Sequence, residues 1–192
     1  WNWFNKNRAP NSHVESVRLE LLKSTYRIER SAQAQLYDLA DQVMSKLALN
    51  LPITFYQSQR SAALNASIVF IPGELHLVLD GPVISTLGEF ELRAMLGHEL
   101  AHYIFYSGWD AEYRIAWEIL TALANDAAAE SAHVATARLF SLYLEIFCDR
   151  GAYLVTDDLS AVICTLVKLE TGIKEVSAES YARQAEEIFG SA

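Results

Sequence analysis

The run His98-Glu99-Leu100-Ala101-His102 constrains this chain more than any other feature. It stands inside a segment with apolar residues at helical spacing: Leu92, Met95, Leu96, Leu100 and Tyr103. In a helix, residues i and i+4 share a face, so the two imidazoles project together, one turn apart. That spacing suits two ligands of one tetrahedral zinc ion. Glu99 lies on the flank of the same face, where a carboxylate can take a proton from a water held by the metal. Glu89 and Glu91 fall in the expected first turn, where acidic groups suit the helix dipole, and Gly108 is a natural stop. A surface helix carrying two solvated histidines would not need such apolar neighbours.

Catalytic zinc usually keeps three protein ligands and one open position. The best candidate for the third is Glu145, in Glu145-Ile146-Phe147-Cys148-Asp149-Arg150. It falls in a second long apolar segment, from about Ser131 to Val155, that reads as a helix. Leu139, Leu142, Ile146, Tyr153 and Leu154 form its expected core-facing stripe. A carboxylate among such neighbours is costly to bury unless it is paired or bound to metal. Asp149 follows Glu145 at i+4 and can accept a hydrogen bond from a ligand histidine, fixing its tautomer. On spacing alone, an ordinary surface cluster of Glu145, Asp149 and Arg150 is an equally good reading.

The two elements together resemble the gluzincin zinc metallopeptidase family of HtpX and the CAAX prenyl proteases. That family pairs an H-E-x-x-H helix with a downstream E-x-x-x-D helix, often E-x-x-A-D-R. Here the second element is Glu145 to Arg150. Asn65-Ala66 resembles the family's Asn-Ala before its strand hairpin, and Glu89 to Gly97 resembles the lead into its active-site helix. The resemblance covers roughly residues 35 to 190, with the motifs between 65 and 150. It implies one zinc ion held by His98, His102 and Glu145, Glu99 as general base, Asp149 supporting a ligand from behind, and a peptide or unfolded-protein substrate.

The chain departs from that pattern at three points. Cys148 occupies the usual alanine position; it reads as a small apolar residue, the other reading being a thiol that competes for metal or is oxidised. The interval from Tyr103 to Leu144 is polar enough for a soluble helical pair, where membrane-embedded relatives often carry spans. A His-Pro element followed by Arg, common near the C-terminus of relatives, does not occur before Gly190-Ser191-Ala192: either this branch lacks it or the sequence is a fragment. These departures keep open an alternative: a latent or inactive zinc-binding module that holds unfolded peptides in a chaperone-like or scaffold-like way.

Composition bounds the rest. The 192 residues are 52% hydrophobic, enough for one sizeable core. A net charge of -9 argues against nucleic acid as a partner and against tight binding to anionic lipid. No uncharged run reaches membrane-span length, and Trp1-Asn2-Trp3-Phe4 does not read as a signal peptide. Cys148 and Cys164 read as buried free thiols, which makes a cytoplasmic location the default, with a pairing between their helices as the other reading.

The expected architecture is a mainly helical, zincin-like α+β domain with a three-stranded sheet. Residues 1–30 read as an N-terminal helical arm, ragged over the first eleven residues and helical through Val14, Val17, Leu21 and Ile28; residues 31–192 read as the metallopeptidase domain. A helix is expected from about Ala32 to Leu49, then strands at Ile53–Tyr56, Ser67–Ile71 and Glu74–Asp80. In zincin-like folds, strands before the metal helix supply an edge over the cleft, to which an extended peptide can add. Asp110 reads as an N-cap for a helix carrying Tyr113, Trp117, Leu120 and Leu123. Thr156 or Asp157 begins a helix that stops at Gly172, and Ser177 caps a last helix through about Phe189. His76, alternating with Leu75 and Leu77, is expected to face solvent, substrate contact being the minority reading. His13 and His133 read as solvated. Arg150 and Tyr153 are candidate oxyanion contacts by sequence proximity alone.

Overall fold

The computed structural model describes residues 11–59 and 63–190 and, among these, every side chain except those of residues 11–13 and 109. The opening residues 1–10, most of the segment read as ragged, and the side chain of His13 lie outside the described residues. Helix α1 (Asn11–Ser24) runs directly into strand β1 (Thr25–Ile28). The expected helix through Ile28 therefore stops short. Thr25, Tyr26 and Ile28 are β-branched or aromatic, types that favour strands, and Thr25 and Ile28 are buried. β1 pairs antiparallel with β2 (Ile53–Ser58), so the sheet has four strands rather than three.

β3 (Asn65–Ile71) and β4 (Glu74–Asp80) form a hairpin through Pro72-Gly73, Gly73 holding the positive φ of 84° that a side chain would resist. β4 pairs parallel with β2, giving the order β1-β2-β4-β3 and leaving β3 at one edge. Between β1 and β2 lies α2 (Ala34–Lys46), whose Leu36, Leu39, Ala40 and Val43 face the sheet. Leu75, Leu77 and Leu79 of β4 point to that same core.

A single turn, α3 (Val83–Thr86), leads to helix α4 (Glu89–Ser107), which carries the H-E-x-x-H run. Its first turn is anchored as expected: Glu91 accepts from the Gly88 N–H at 2.8 Å and is paired with Lys168. The Gly108 N–H donates to the Ile104 carbonyl at the other end. Met95, Leu96 and Leu100 are fully buried against α2 and the sheet. Side chains of this kind stabilise a fold by about 1.5–3 kcal/mol each when buried.

After α4, a 3-10 turn (Trp109–Ala111) precedes α5 (Glu112–Ala124). Asp110 is not the expected N-cap. Asp110 and Ala111 both take left-handed φ, 54° and 66°, to reverse the chain, and no side chain caps α5. Then follow α6 (Ser131–Thr156), α7 (Leu159–Thr171) and α8 (Ala178–Gly190). Asp158 caps α7 by accepting from the Ala161 N–H at 3.1 Å, one residue beyond the expected start. Gly172 ends α7, and Ser177 accepts from the Ser180 N–H ahead of α8. Cys148 and Cys164 are both free thiols, but only Cys148 is buried as expected; Cys164 is half-buried. Among the described residues no helix is long and apolar enough to cross a membrane.

The burial of α6 corrects the expected stripe. Leu139, Leu142 and Leu154 are 52%, 55% and 63% exposed, and Ile146 and Tyr153 are exposed as well. The inner face is instead Leu144, Cys148, Gly151, Ala152 and Val155. Small residues line it because α4 and α6 nearly touch there. A Cβ on Gly97 would overlap Val155 and come within 2.9 Å of the Ala152 Cα; one on Gly151 would lie 2.6 Å from the Ala101 Cβ. This close crossing sets the distance between the two motif helices.

Candidate metal centre

The Gly97–Gly151 crossing brings the histidines of α4 opposite the carboxylates of α6. His98 Nε2 and His102 Nε2 are 3.2 Å apart. The Glu145 Oε2 lies 3.3 Å from the first and 3.8 Å from the second. Tetrahedral bonds of about 2.0–2.1 Å would separate such donors by about 3.4 Å, so the triangle has the size a zinc ion requires. Two ring nitrogens this close either share a proton or face a common cation. His102 Nδ1 is buried with no hydrogen-bond partner. A fourth group, the buried Cys148 thiol, lies close by: one ligand atom each of His98, His102 and Cys148 fall within 4.8 Å of one another.

Asp149 sits behind the triangle. Its Oδ1 is 3.0 Å from His98 Nδ1, so this ring nitrogen carries a proton, and Nε2 is the nitrogen that would offer its lone pair to a metal. Without metal the two rings titrate apart. Burial opposes charge on His98 but is outweighed by the hydrogen bonds to Asp149 and Glu145, which push its pKa up to about 10. Burial and the neighbouring His98 charge pull His102 down to about 4. Glu145, half in solvent, is held below its ordinary value first by its hydrogen bond to His98.

Glu99 is only 7% exposed. Burial raises its pKa to about 7, with the Glu145 charge adding to the rise; the His98 charge and a backbone hydrogen bond at Ile68 oppose it. A carboxylate poised there is matched to proton transfer near neutral pH. Ile68 belongs to β3, so the edge strand lies directly beside this group.

The donors open into a cleft of about 290 Å³. Asn65, Ala66, Ser67 and Ile68 of β3 form one wall, and Val162, Thr165, Leu166 and Leu169 of α7 stand opposite. Tyr106, one turn beyond His102, also lines the cleft and stacks on the His102 ring at 5.8 Å. Burial pushes its phenol up to about 12, which keeps it protonated and able to donate a hydrogen bond. Tyr106 is not among the residues expected from the sequence, although an aromatic hydroxyl four residues after His102 shares its face in a helix.

Three residues singled out from sequence lie elsewhere. His76 is buried, at 5% exposure, not solvated: its Nδ1 is 3.1 Å from the Tyr56 hydroxyl and its Nε2 is 2.8 Å from Glu74. Strand alternation correctly turned it from Leu75 and Leu77, but the outer sheet face is covered at this point. It does not line the cleft. Arg150 borders a separate apolar groove with Phe105, Tyr143 and Phe147. It lies about 140° around α6 from Glu145, by 100° per residue. Tyr153 is largely exposed and also lies outside the cleft lining. His133 is exposed, as expected, at the start of α6.

Comparison with curated proteins gives no match, and comparison with solved structures gives none. The family model for peptidase family M48 matches residues 30–138. The matched stretch contains the sheet, His98, Glu99 and His102, and stops before Glu145. Members of that family are zinc-dependent metallopeptidases in general, and this chain, matched over more than half its length, belongs to peptidase family M48.

Proposed function

We propose that this chain is a zinc-dependent endopeptidase in which His98, His102 and Glu145 hold the metal and Glu99 is the general base. The observation that carries the reading is the convergence of three donor atoms, 3.2 to 3.8 Å apart, beside a buried carboxylate and the edge strand β3. Zinc bound there would act as a Lewis acid, polarising the scissile carbonyl and acidifying a water.

The protein's own groups do the rest. Glu99 takes a proton from the attacking water and returns it to the leaving amine. Asp149 fixes the His98 tautomer. The free edge of β3 pairs with an extended substrate by main-chain hydrogen bonds, a mode that needs little side-chain specificity. Tyr106, protonated and beside His102, is the group best disposed to hydrogen-bond the developing oxyanion. The apolar end of the cleft, at Met95, Val162, Leu166 and Leu169, accommodates an apolar side chain of the substrate.

The test is cleavage of an unstructured protein by the zinc-loaded chain, with Glu99→Gln in parallel at equal metal content. Cleavage by the parent and a loss of about 10²–10⁴-fold in the variant is the expected result. Equal turnover by both proteins would remove Glu99 from the mechanism.

A further inference from the structure

The metal centre has more donors than a catalytic site uses. His98 and His102 come from α4, Glu145 from α6, and Cys148, one turn beyond Glu145, points its sulfur at the same two rings. Cys148 is fully buried, whereas the Glu145 side chain is 53% exposed. Sulfur and nitrogen on one zinc ion stand about 3.6 Å apart, so the 4.8 Å grouping lies about 1 Å from a bonded one. A turn of the Cys148 side chain can supply that distance. His102 Nδ1 is buried and has no hydrogen-bond partner among the described residues.

Resting on the proposed zinc site, we infer that Cys148 is a fourth protein ligand that closes the site in a resting form, and that water and substrate gain the open position only when the sulfur withdraws. Closed four-ligand sites are the structural kind; catalytic sites keep one position free. In closing, the Cys148 S–H bond breaks, its proton passes to solvent, and the sulfur bonds the metal as thiolate in place of water. Reopening reverses these steps. Burial raises the thiol pKa, so without metal Cys148 is a neutral and unreactive thiol. A coordinated thiol is deprotonated by the metal itself, so this does not oppose the bond. The competing reading is a passive filler in the apolar cluster of Ala101, Leu144 and Cys148.

The experiment loads the full chain with Co²⁺ alone and records its absorption. A thiolate on cobalt gives an intense near-ultraviolet sulfur-to-metal charge-transfer band; imidazole and carboxylate ligands give only weak visible bands. The parent is expected to show both. Cys148→Ala and Cys148→Ser are expected to lose the charge-transfer band and keep the visible ones, which also shows that they fold. Cys164→Ala should keep both. Visible bands without a charge-transfer band in the parent would overturn the Cys148 ligand and leave the His98–His102–Glu145 site standing. No visible bands in the parent, or bands unchanged in His98→Ala, would overturn both.

Discussion

Helices α4 and α6 meet face to face, yet they bury themselves by different means. α4 is packed by large apolar side chains, Met95, Leu96, Leu100 and Tyr103, against the sheet and α2. α6 meets α4 through small ones, Gly151, Ala152 and Cys148, and leaves Leu139, Leu142 and Leu154 outside. The difference follows from what must fit between them. Large residues at the crossing would push the helices apart and carry Glu145 and Asp149 away from the histidines. Hydropathy therefore marks the inner face of α4 and misleads on α6.

Four substitutions or conditions sharpen this contrast. The largest effect belongs to the reacting face of α4: Glu99→Gln should retain zinc and lose cleavage by about 10²–10⁴-fold. On α6, Asp149→Asn should weaken zinc affinity by about 10–100-fold, measured by competition with a chelator, because His98 loses the charged acceptor that fixes its tautomer and raises its basicity. At the crossing, Gly151→Ala should destabilise the fold by about 1–3 kcal/mol in denaturant unfolding. Outside it, Leu154→Ser should change stability by no more than about 0.5 kcal/mol. If Leu154→Ser cost more than Gly151→Ala, the assignment of faces on α6 would be reversed.

The titration of the two rings gives a further check. His98 is raised to about 10, so the stability it contributes to the metal-free fold is complete below its unfolded pKa of about 6.5 and is lost as pH rises through 10. Glu99, raised to about 7, acts with the same sign in a lower window: its contribution is present below the ordinary carboxylate range and lost by about 7. His102, lowered to about 4, loses stability only below pH 6.5 and is silent in the alkaline range. The metal-free protein should therefore melt at progressively lower temperature from pH 7 to 10. With zinc bound, the metal takes the place of the proton on His98, and the fall should largely disappear. A metal-free melting temperature that rises with pH in this range would contradict the His98–Asp149–Glu145 arrangement.

Much of the candidate site's geometry was legible because its spacing is local. His98 and His102 need only a helix, and Glu145 and Asp149 only a second one. The hairpin before α4 was legible from alternation and from Pro72-Gly73, and the edge position of β3 came with the topology. What was not legible depends on tertiary contact. β1 is a short strand whose pairing with β2 cannot be seen from either segment alone. The inner face of α6 is decided by the Gly97–Gly151 approach across 54 residues, a distance no periodicity spans. His76 alternates like an exposed residue but meets Tyr56 and Glu74. Tyr106 was readable in principle from its position one turn after His102.

The central claim is that α6 completes the metal site begun by α4. It is tested most directly by measuring zinc affinity of the parent and of Glu145→Ala under identical buffer and pH. The account predicts a loss of at least about a hundredfold, the upper end of what removing only a supporting hydrogen bond costs. Equal affinity in the two proteins would contradict it and leave the histidines of α4 without a metal-binding carboxylate from α6.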